Sequence, residues 1–238
     1  MAKLYYRYGT VSSAKTLNLL AVAENYRIQG RAVLLIKPKL DTRFGLRIIK
    51  SKVGLESAAD ILLSSEEGVF LSGDGNGIPH TDRENGSSFL HLTSLEVFQH
   101  PTDLFCVLVD EAQFLSPVHI EELREIATSH GIPVICYGLR TDFRSRLFPA
   151  SKRLFELADS IEEIKTTCYY CGHCKATLSL KHVDGVASLE GPAIQLGCEE
   201  TYHPACFKCY KEKIILSNPK SYAKRTETHS YLVFPDEL

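Results

Sequence analysis

Short apolar runs alternate with stretches of helical periodicity through the first two-thirds of the chain. The apolar runs predict strands, and the last two are continuously apolar, as expected for strands covered on both faces of a parallel sheet. Helical spacing predicts helices over Lys15–Gln29 and Pro117–His130. This alternation favours a doubly wound α/β domain. The predicted strands are Lys3–Tyr8, Ala32–Ile36, Phe105–Val109 and Pro133–Tyr137.

The alternation is interrupted once and then ends. Residues 72–88 (SGDGNGIPHTDRENGSS) are rich in Gly, Asp, Asn and Ser, which is typical of a flexible surface insertion. From about Thr166 the chain changes to cysteines, glycines and short strand-like runs. We therefore predict a main domain over 1–165, a small domain over 166–214 and a tail over 215–238.

The composition permits a hydrophobic core and argues against two classes of partner. Hydrophobic residues make up 44% of the 238 residues, and the formal net charge is -2. Non-specific binding to nucleic acid or membrane would need a basic surface, so neither partner is expected. The N-terminus lacks the apolar segment of a secretion signal, and no apolar run approaches the roughly 20 residues that span a bilayer. We expect a cytoplasmic protein.

A phosphate-binding loop is predicted directly after the first strand. The segment matches G-x-x-x-x-G-K-[ST] except at Ala14, and it lies between a strand and a helix as that motif requires. Backbone N–H groups at the helix N-terminus would surround the phosphates, with Lys15 at the β/γ-phosphates and Thr16 on Mg²⁺. If Ala14 adopts a positive φ, its Cβ costs about 1–2 kcal/mol. The competing interpretation is an ordinary strand–turn–helix with a surface lysine. The candidate phosphate-binding residues are Gly9, Thr10, Val11, Ser12, Ser13, Ala14, Lys15 and Thr16.

An acidic pair follows the third predicted strand. Asp110 and Glu111 come directly after the apolar run FCVLV, which is the arrangement of a Walker B motif. Asp110 would hold Mg²⁺, and Glu111 would be a general base for an attacking hydroxyl. The alternative is a solvated acidic turn at the end of a strand. The correct order of both motifs along the chain favours a nucleotide site.

Two C-x-x-C pairs late in the chain have the ligand spacing of a structural Cys₄ zinc site. Without export, such pairs favour metal over disulfides. Cys174 is an alternative ligand three residues beyond the first pair, and His173 and His203 are nearby. Reduced, unliganded thiols are the competing interpretation. The preferred zinc ligands are Cys168, Cys171, Cys206 and Cys209.

Together these segments resemble the type II, zinc-containing thymidine kinases. The resemblance runs from about Ala2 to Tyr210, apart from residues 72–88, and Tyr202 matches the tyrosine ahead of the second cysteine pair. It implies an α/β fold with a P-loop, a doubly wound, mostly parallel sheet and a small C-terminal zinc-bound lasso domain. The segments that carry it are LYYRYGTVSSAKT, KPKLDTRFG, SKVGL, VLVDEAQFL and CYGLRTDFR.

The resemblance also implies an activity: transfer of a phosphoryl group from ATP, with Mg²⁺, to the 5′-hydroxyl of thymidine. Glu111 would take the proton of that hydroxyl, while Asp110 and Thr16 serve Mg²⁺. Lys15 and Arg43 would neutralise phosphate charge. Gln113 belongs to the same Asp-Glu-x-Gln-Phe motif and is added to the nucleotide-site residues.

The implied nucleoside site combines aromatic side chains with a lasso loop, roughly Leu189–Tyr202, that zinc holds in place. Tyr202 would stack on the thymine ring. The chain has Gly197-Cys198 where the family usually has Gly-Gly. A homotetramer is also implied. The candidate nucleoside-binding residues are Phe114, Phe143, Phe148, Ile194, Gly197 and Tyr202.

Two other functions compete with an active kinase. Ala14 and Cys198 motivate a kinase-derived nucleotide-binding or regulatory protein, although Glu111 and the phosphate-loop lysine are retained. The Asp-Glu-Ala-Gln string superficially matches a helicase box, which motivates a nucleic-acid-stimulated NTPase. Helicases of that kind need a second nucleotide domain, and the chain is too short to contain one.

Overall fold

The computed structural model describes residues 2–64, 104–192 and 202–217. Its main element is a six-stranded sheet in which every neighbouring pair of strands is parallel. The six strands are β1 (Leu4–Tyr8), β2 (Ala32–Pro38), β5 (Ile61–Leu63), β6 (Leu104–Val109), β7 (Val134–Gly138) and β8 (Ser160–Glu163). In space their order is β5-β2-β6-β7-β1-β8. A separate antiparallel pair joins β3 (Ile48–Lys50) and β4 (Glu56–Ala58).

Helices cover both faces of this sheet. One face packs against α1 (Lys15–Ile28), whose Leu19 and Leu20 meet residues from β2, β6 and β7. The opposite face packs against α2 (Pro117–Ser129) and α3 (Pro149–Leu157). Successive side chains of each central strand point into the two hydrophobic cores in turn. Both sets of side chains are therefore buried, which explains why the central strands are continuously apolar. The predicted doubly wound α/β fold is confirmed.

The predicted strands and helices agree with the structure to within a few residues at each end. The largest shift within the sheet is at the end of β2, which was expected at Ile36 and lies at Pro38. Pro133 was expected to begin a strand that starts at Val134. The carbonyl of Pro133 still accepts a hydrogen bond from the Val107 N–H at 2.9 Å. Cys106 and Cys136 are buried core residues, as their apolar surroundings suggested, and burial raises the pKa of both thiols.

A second, smaller unit follows β8. It contains an antiparallel sheet of β9 (Leu178–Val183), β10 (Val186–Ala187) and β11 (Tyr202–Ala205), in the order β10-β9-β11, and helix α4 (Phe207–Ser217). Leu180, Tyr210 and Ile214 belong to its own hydrophobic cluster. The predicted boundaries at 165 and 214 remain predictions.

Three predictions concern parts of the chain outside the described residues: the insertion at 72–88, the tail from residue 218 onward, and lasso residues Ile194, Gly197 and Cys198. Among the helices that the structure describes, none combines the length and apolar character needed to cross a bilayer.

Candidate active site

The phosphate-binding loop connects β1, next to last in the sheet order, to the first turn of α1. Gly9 leaves the strand with its N–H donating to the Gly138 carbonyl at 3.2 Å. A Cβ at Gly9 would lie 2.6 Å from the Ile164 carbonyl oxygen and 2.2 Å from Ser13 Oγ. Because neither approach is tolerable, the loop requires glycine at its first position. Farther along, the Val11 N–H donates to Ser179 Oγ at 3.1 Å, so the loop contacts β9 of the smaller unit.

Ala14 occupies the N-cap of α1 with φ 62° and ψ 27°, the left-handed region. Its carbonyl accepts the first bond of the helix, from Asn18 N at 3.0 Å. Ala14 therefore has the positive φ that was considered from the sequence, and this backbone conformation favours glycine. Ser12 in the same loop also has a positive φ, of 59°.

The Lys15 ammonium group lies inside the loop. Its Nζ donates to the Thr10 carbonyl at 2.7 Å and contacts Ser13 Oγ at 3.4 Å. Burial lowers the pKa of Lys15, while the carboxylates of Glu111 and Asp110 oppose that shift. A buried cation at the N-terminus of a helix suits an anionic ligand.

Asp110 directly follows β6 and contacts Thr16 in the first turn of α1. Thr16 Oγ1 donates to its two carboxylate oxygens at 3.1 and 3.3 Å. Burial and the adjacent charge of Glu111 raise the pKa of Asp110. A hydroxyl and a buried carboxylate side by side form the kind of oxygen donor pair that Mg²⁺ prefers.

Glu111 is held from both sides in a strained backbone conformation. Its φ is 48°, in the left-handed region. Arg43 Nη2 donates to Oε1 at 2.6 Å, and Gln113 Nε2 donates to Oε2. Burial alone would raise the pKa of Glu111, but the charges of Arg43 and Lys15 outweigh it and lower that pKa. The carboxylate is therefore kept ionised, and strain at a buried acidic residue is characteristic of functional sites.

Arg43 and Gln113 are themselves fixed. The Arg43 Nε donates to Asp41 Oδ1 at 2.7 Å, and the charges of Glu111 and Asp41 raise the pKa of Arg43 against the effect of its burial. Gln113 Oε1 accepts from the Leu139 N–H at 2.9 Å. Asp41 was part of the Asp-Thr-Arg segment noted in the sequence, but no role was assigned to it there.

Aromatic side chains line a cavity that the phosphate-binding loop also lines. Phe114 and Phe148 meet edge to face with ring centroids 6.1 Å apart, and Phe143 and Tyr202 lie 6.3 Å apart. The cavity has a volume of about 260 Å³ and also reaches Glu111. Of the candidate nucleotide-site residues, Gly9, Thr10, Asp110 and Gln113 are not among its lining residues. Those that line it are Val11, Ser12, Ser13, Ala14, Lys15, Thr16, Arg43 and Glu111.

The backbone of Phe143 is anchored by residues that the sequence did not single out. Tyr210, one position after the last cysteine, donates its hydroxyl proton to the Phe143 carbonyl at 2.6 Å. Lys181 and Arg144 place their cations 5.0 and 4.9 Å from the Phe143 ring centroid. Lys181 also donates to the Glu190 carbonyl at 3.1 Å. These contacts connect the aromatic wall to the cysteine-bearing unit.

The four cysteines that were preferred as zinc ligands lie close together in that unit. Their ligand atoms all lie within 4.8 Å of one another. Thiolates grouped in this way are compatible with a tetrahedral metal site. The cluster joins a turn before β9 to the start of α4, so residues far apart in the chain meet there. The four are Cys168, Cys171, Cys206 and Cys209.

Comparisons with known proteins agree with this geometry. The family model described as "Thymidine kinase" matches residues 2–71 and 75–210. A thymidine kinase from Lactococcus lactis subsp. lactis is 40% identical over 210 residues, which covers 88% of this chain and 97% of the relative. One from Streptococcus pyogenes serotype M1 has the same identity and coverage. One from Lactobacillus acidophilus is 38% identical over 207 residues, covering 87% and 94%. The chain belongs to the thymidine kinase family.

Proposed function

We propose that this protein is a thymidine kinase that transfers the γ-phosphoryl group of ATP to the thymidine 5′-hydroxyl, giving dTMP and ADP for nucleotide salvage. One observation carries the proposal. A single cavity is lined by the phosphate-binding loop, by Glu111 and by four aromatic side chains. A phosphate donor at one end and a nucleoside at the other would bring their reacting atoms together beside that carboxylate.

The phosphate end binds ATP. Backbone N–H groups of the loop and the buried Lys15 ammonium hold the β- and γ-phosphates. Thr16 and Asp110 hold Mg²⁺, for which their adjacent oxygens are suited. When bound, this ion neutralises charge on the transferring phosphoryl group. Arg43 adds a further positive charge, because it lines the cavity and its guanidinium contacts Glu111.

Glu111 is the proposed base. Its lowered pKa keeps it ionised, so it accepts a hydrogen bond from the 5′-hydroxyl and takes the proton as the phosphorus–oxygen bond forms. Each of its oxygens has one protein donor, and a carboxylate oxygen has a second acceptor position. The two donors orient the group without consuming its capacity to bind the substrate hydroxyl.

The aromatic end binds the thymine base. Phe114, Phe143 and Phe148 form apolar walls, and Tyr202 offers a ring for stacking. Ile194 and Gly197 of the lasso segment belong to this proposed site on the basis of the family resemblance.

A structural zinc ion is proposed at the four-cysteine cluster. The donor set fits, because four thiolates close the coordination sphere and leave no position for a substrate. Cys206 begins the turn into α4, whose Tyr210 holds the Phe143 carbonyl. The metal site would therefore help to hold Phe143, one of the aromatic residues that line the cavity, in position.

The homotetrameric state and the cytoplasmic location are also proposed, from the family resemblance. Light scattering coupled to size-exclusion chromatography tests the first. A mass of four chains is expected, and a monomer would contradict it.

Glu111→Gln tests the proposed chemistry, with Glu121→Gln as the matched control. Glu121 is an exposed glutamate paired with Arg153 at 3.0 Å, and it does not line the cavity. Purified protein is incubated with labelled thymidine, ATP and Mg²⁺, and dTMP is measured. We expect the loss of the base to lower kcat by about 10²–10⁴-fold, and the control to keep full activity. Unchanged turnover in Glu111→Gln would refute the assignment of the base. A binding-only regulatory protein, which the comparisons do not favour, would form no dTMP at all.

A further inference from the structure

A fifth thiol lies against the four-cysteine cluster. Cys174 is exposed, and its ligand atom is within 4.8 Å of those of Cys171 and His173. One of the four proposed zinc ligands, Cys171, therefore lies next to a cysteine that is not needed to complete a tetrahedral site.

The backbone around Cys174 is part of the same turn as the first ligand pair. The Cys168 N–H donates to the Cys174 carbonyl at 2.8 Å, and the Gly172 N–H donates to the Cys168 carbonyl at 3.0 Å. An isolated bridge between Thr167 and Lys175 closes the turn. The backbone position of Cys174 is thus set by the fold of the metal-binding turn, while its side chain is exposed.

We propose that Cys174 is a reserve ligand of the zinc site, which replaces Cys171 when the Cys171 sulfur is lost or modified. This proposal rests on the zinc site proposed above. In the exchange, the bond from zinc to Cys171 Sγ breaks, the Cys174 thiol loses its proton to solvent, and a bond from zinc to Cys174 Sγ forms. If the Cys171 sulfur is still present, it takes up a proton on leaving. No electrons are transferred.

Geometry favours Cys171 as the ligand that is replaced. With zinc–sulfur bonds of about 2.3 Å, neighbouring sulfurs of a tetrahedral site lie about 3.8 Å apart. The ligand atoms of Cys174 and Cys171 already lie within 4.8 Å of each other, so a side-chain rotation brings Cys174 to the corner of Cys171. Cys168 and Cys206 are buried, whereas Cys171 is half-buried and on the same turn as Cys174. Exchange at Cys171 therefore requires the smallest rearrangement.

The first test measures zinc per chain, after dialysis against a competing chelator, in the full-length protein and four variants. The variants are Cys168→Ala, Cys171→Ala, Cys174→Ala and the double variant Cys171→Ala/Cys174→Ala. We expect about one zinc in the parent and in Cys174→Ala. Cys171→Ala should keep its zinc with affinity lowered by about 10–100-fold, the range for a site that keeps its ligand number in altered surroundings. Cys168→Ala and the double variant should lose it.

The outcomes separate the two proposals. Zinc lost from Cys171→Ala as completely as from the double variant would overturn the reserve role and leave the zinc site intact. Zinc retained in the double variant would also overturn it, because another group would then be the substitute. A parent protein without zinc would overturn both proposals.

A second measurement does not depend on the stability of the variants. Zinc-loaded protein is treated with N-ethylmaleimide for short times, and the modified peptides are mapped by mass spectrometry. In the parent, Cys174 should react rapidly while zinc remains bound. In Cys171→Ala the same thiol should become protected, because it has become a ligand. Equal reactivity of Cys174 in the two proteins would refute the proposal.

Discussion

Replacing Ala14 by glycine tests whether the phosphate loop is strained. Ala14 has φ 62° and caps the first turn of α1. An L-residue with a Cβ costs about 1–2 kcal/mol in this conformation relative to glycine. Glycine also loses more chain entropy on folding, an opposing term of about 0.4–1 kcal/mol. Ala14→Gly should therefore stabilise the folded protein by about 0–1.6 kcal/mol, and the midpoint of about 0.8 kcal/mol raises Tm by roughly 2–3 °C for a chain of this size.

The reverse substitution at an equivalent backbone position is the matched control. Gly30 has φ +72° and Gly131 has φ +67°, and an added Cβ at either would have no other atom within 4 Å. Gly30→Ala and Gly131→Ala should each lower Tm by a similar amount, because they introduce the same strain without a clash. Both sites lie directly after helices that pack on the sheet.

Differential scanning calorimetry of the four proteins measures these shifts, and steady-state kinetics accompanies it. Strain that is equal before and after ATP binding cancels from the affinity, so we expect the ATP KM of Ala14→Gly to change by less than about twofold, or about 0.4 kcal/mol. A lower Tm for Ala14→Gly, with both control variants also destabilised, would refute the reasoning. It would mean that the methyl group of Ala14 contributes more through packing than it costs in backbone strain.

Three further predictions follow from contacts around the cavity. Tyr210→Phe removes the hydroxyl that donates to the Phe143 carbonyl. Leaving that carbonyl unpaired costs about 1–3 kcal/mol, so Tm should fall. The thymidine KM should rise, while the ATP KM should be unchanged. Gly9→Ala would bring a Cβ within 2.6 Å of the Ile164 carbonyl oxygen, so dTMP formation should be lost even if circular dichroism shows a folded protein; wild-type turnover would contradict this. Burial and a neighbouring carboxylate raise the pKa of Asp110 to about 7, and a proton therefore competes with Mg²⁺. The Mg²⁺ concentration for half-maximal rate should rise as pH falls through about 7 and be constant well above it, and a requirement independent of pH would count against Asp110 as a ligand.

Local patterns along the chain were sufficient for the fold class and for the main motifs. Continuous apolar runs predicted β2, β6 and β7 because a strand covered on both faces needs apolar side chains in both directions. Shorter or more exposed strands escaped prediction. The edge strand β8, Ser160–Glu163, has no fully buried residue. Strands β3 and β4 are three residues long and contain one buried residue, Ile49, so none of the three strands has a strong hydrophobic signal.

The sequence by itself determined the order of the phosphate loop, the acidic pair and the cysteine pairs, because each is a short motif whose spacing is set by one turn, one strand end or one metal. Only the tertiary structure decided how these motifs support one another. Arg43 meets Glu111 across 68 positions, and Tyr210 meets Phe143 across 67. Such contacts depend on the order of strands in the sheet and on the docking of the cysteine-bearing unit. The left-handed conformation of Ala14 is likewise imposed by the strand and the helix that it joins, against the preference of its own side chain.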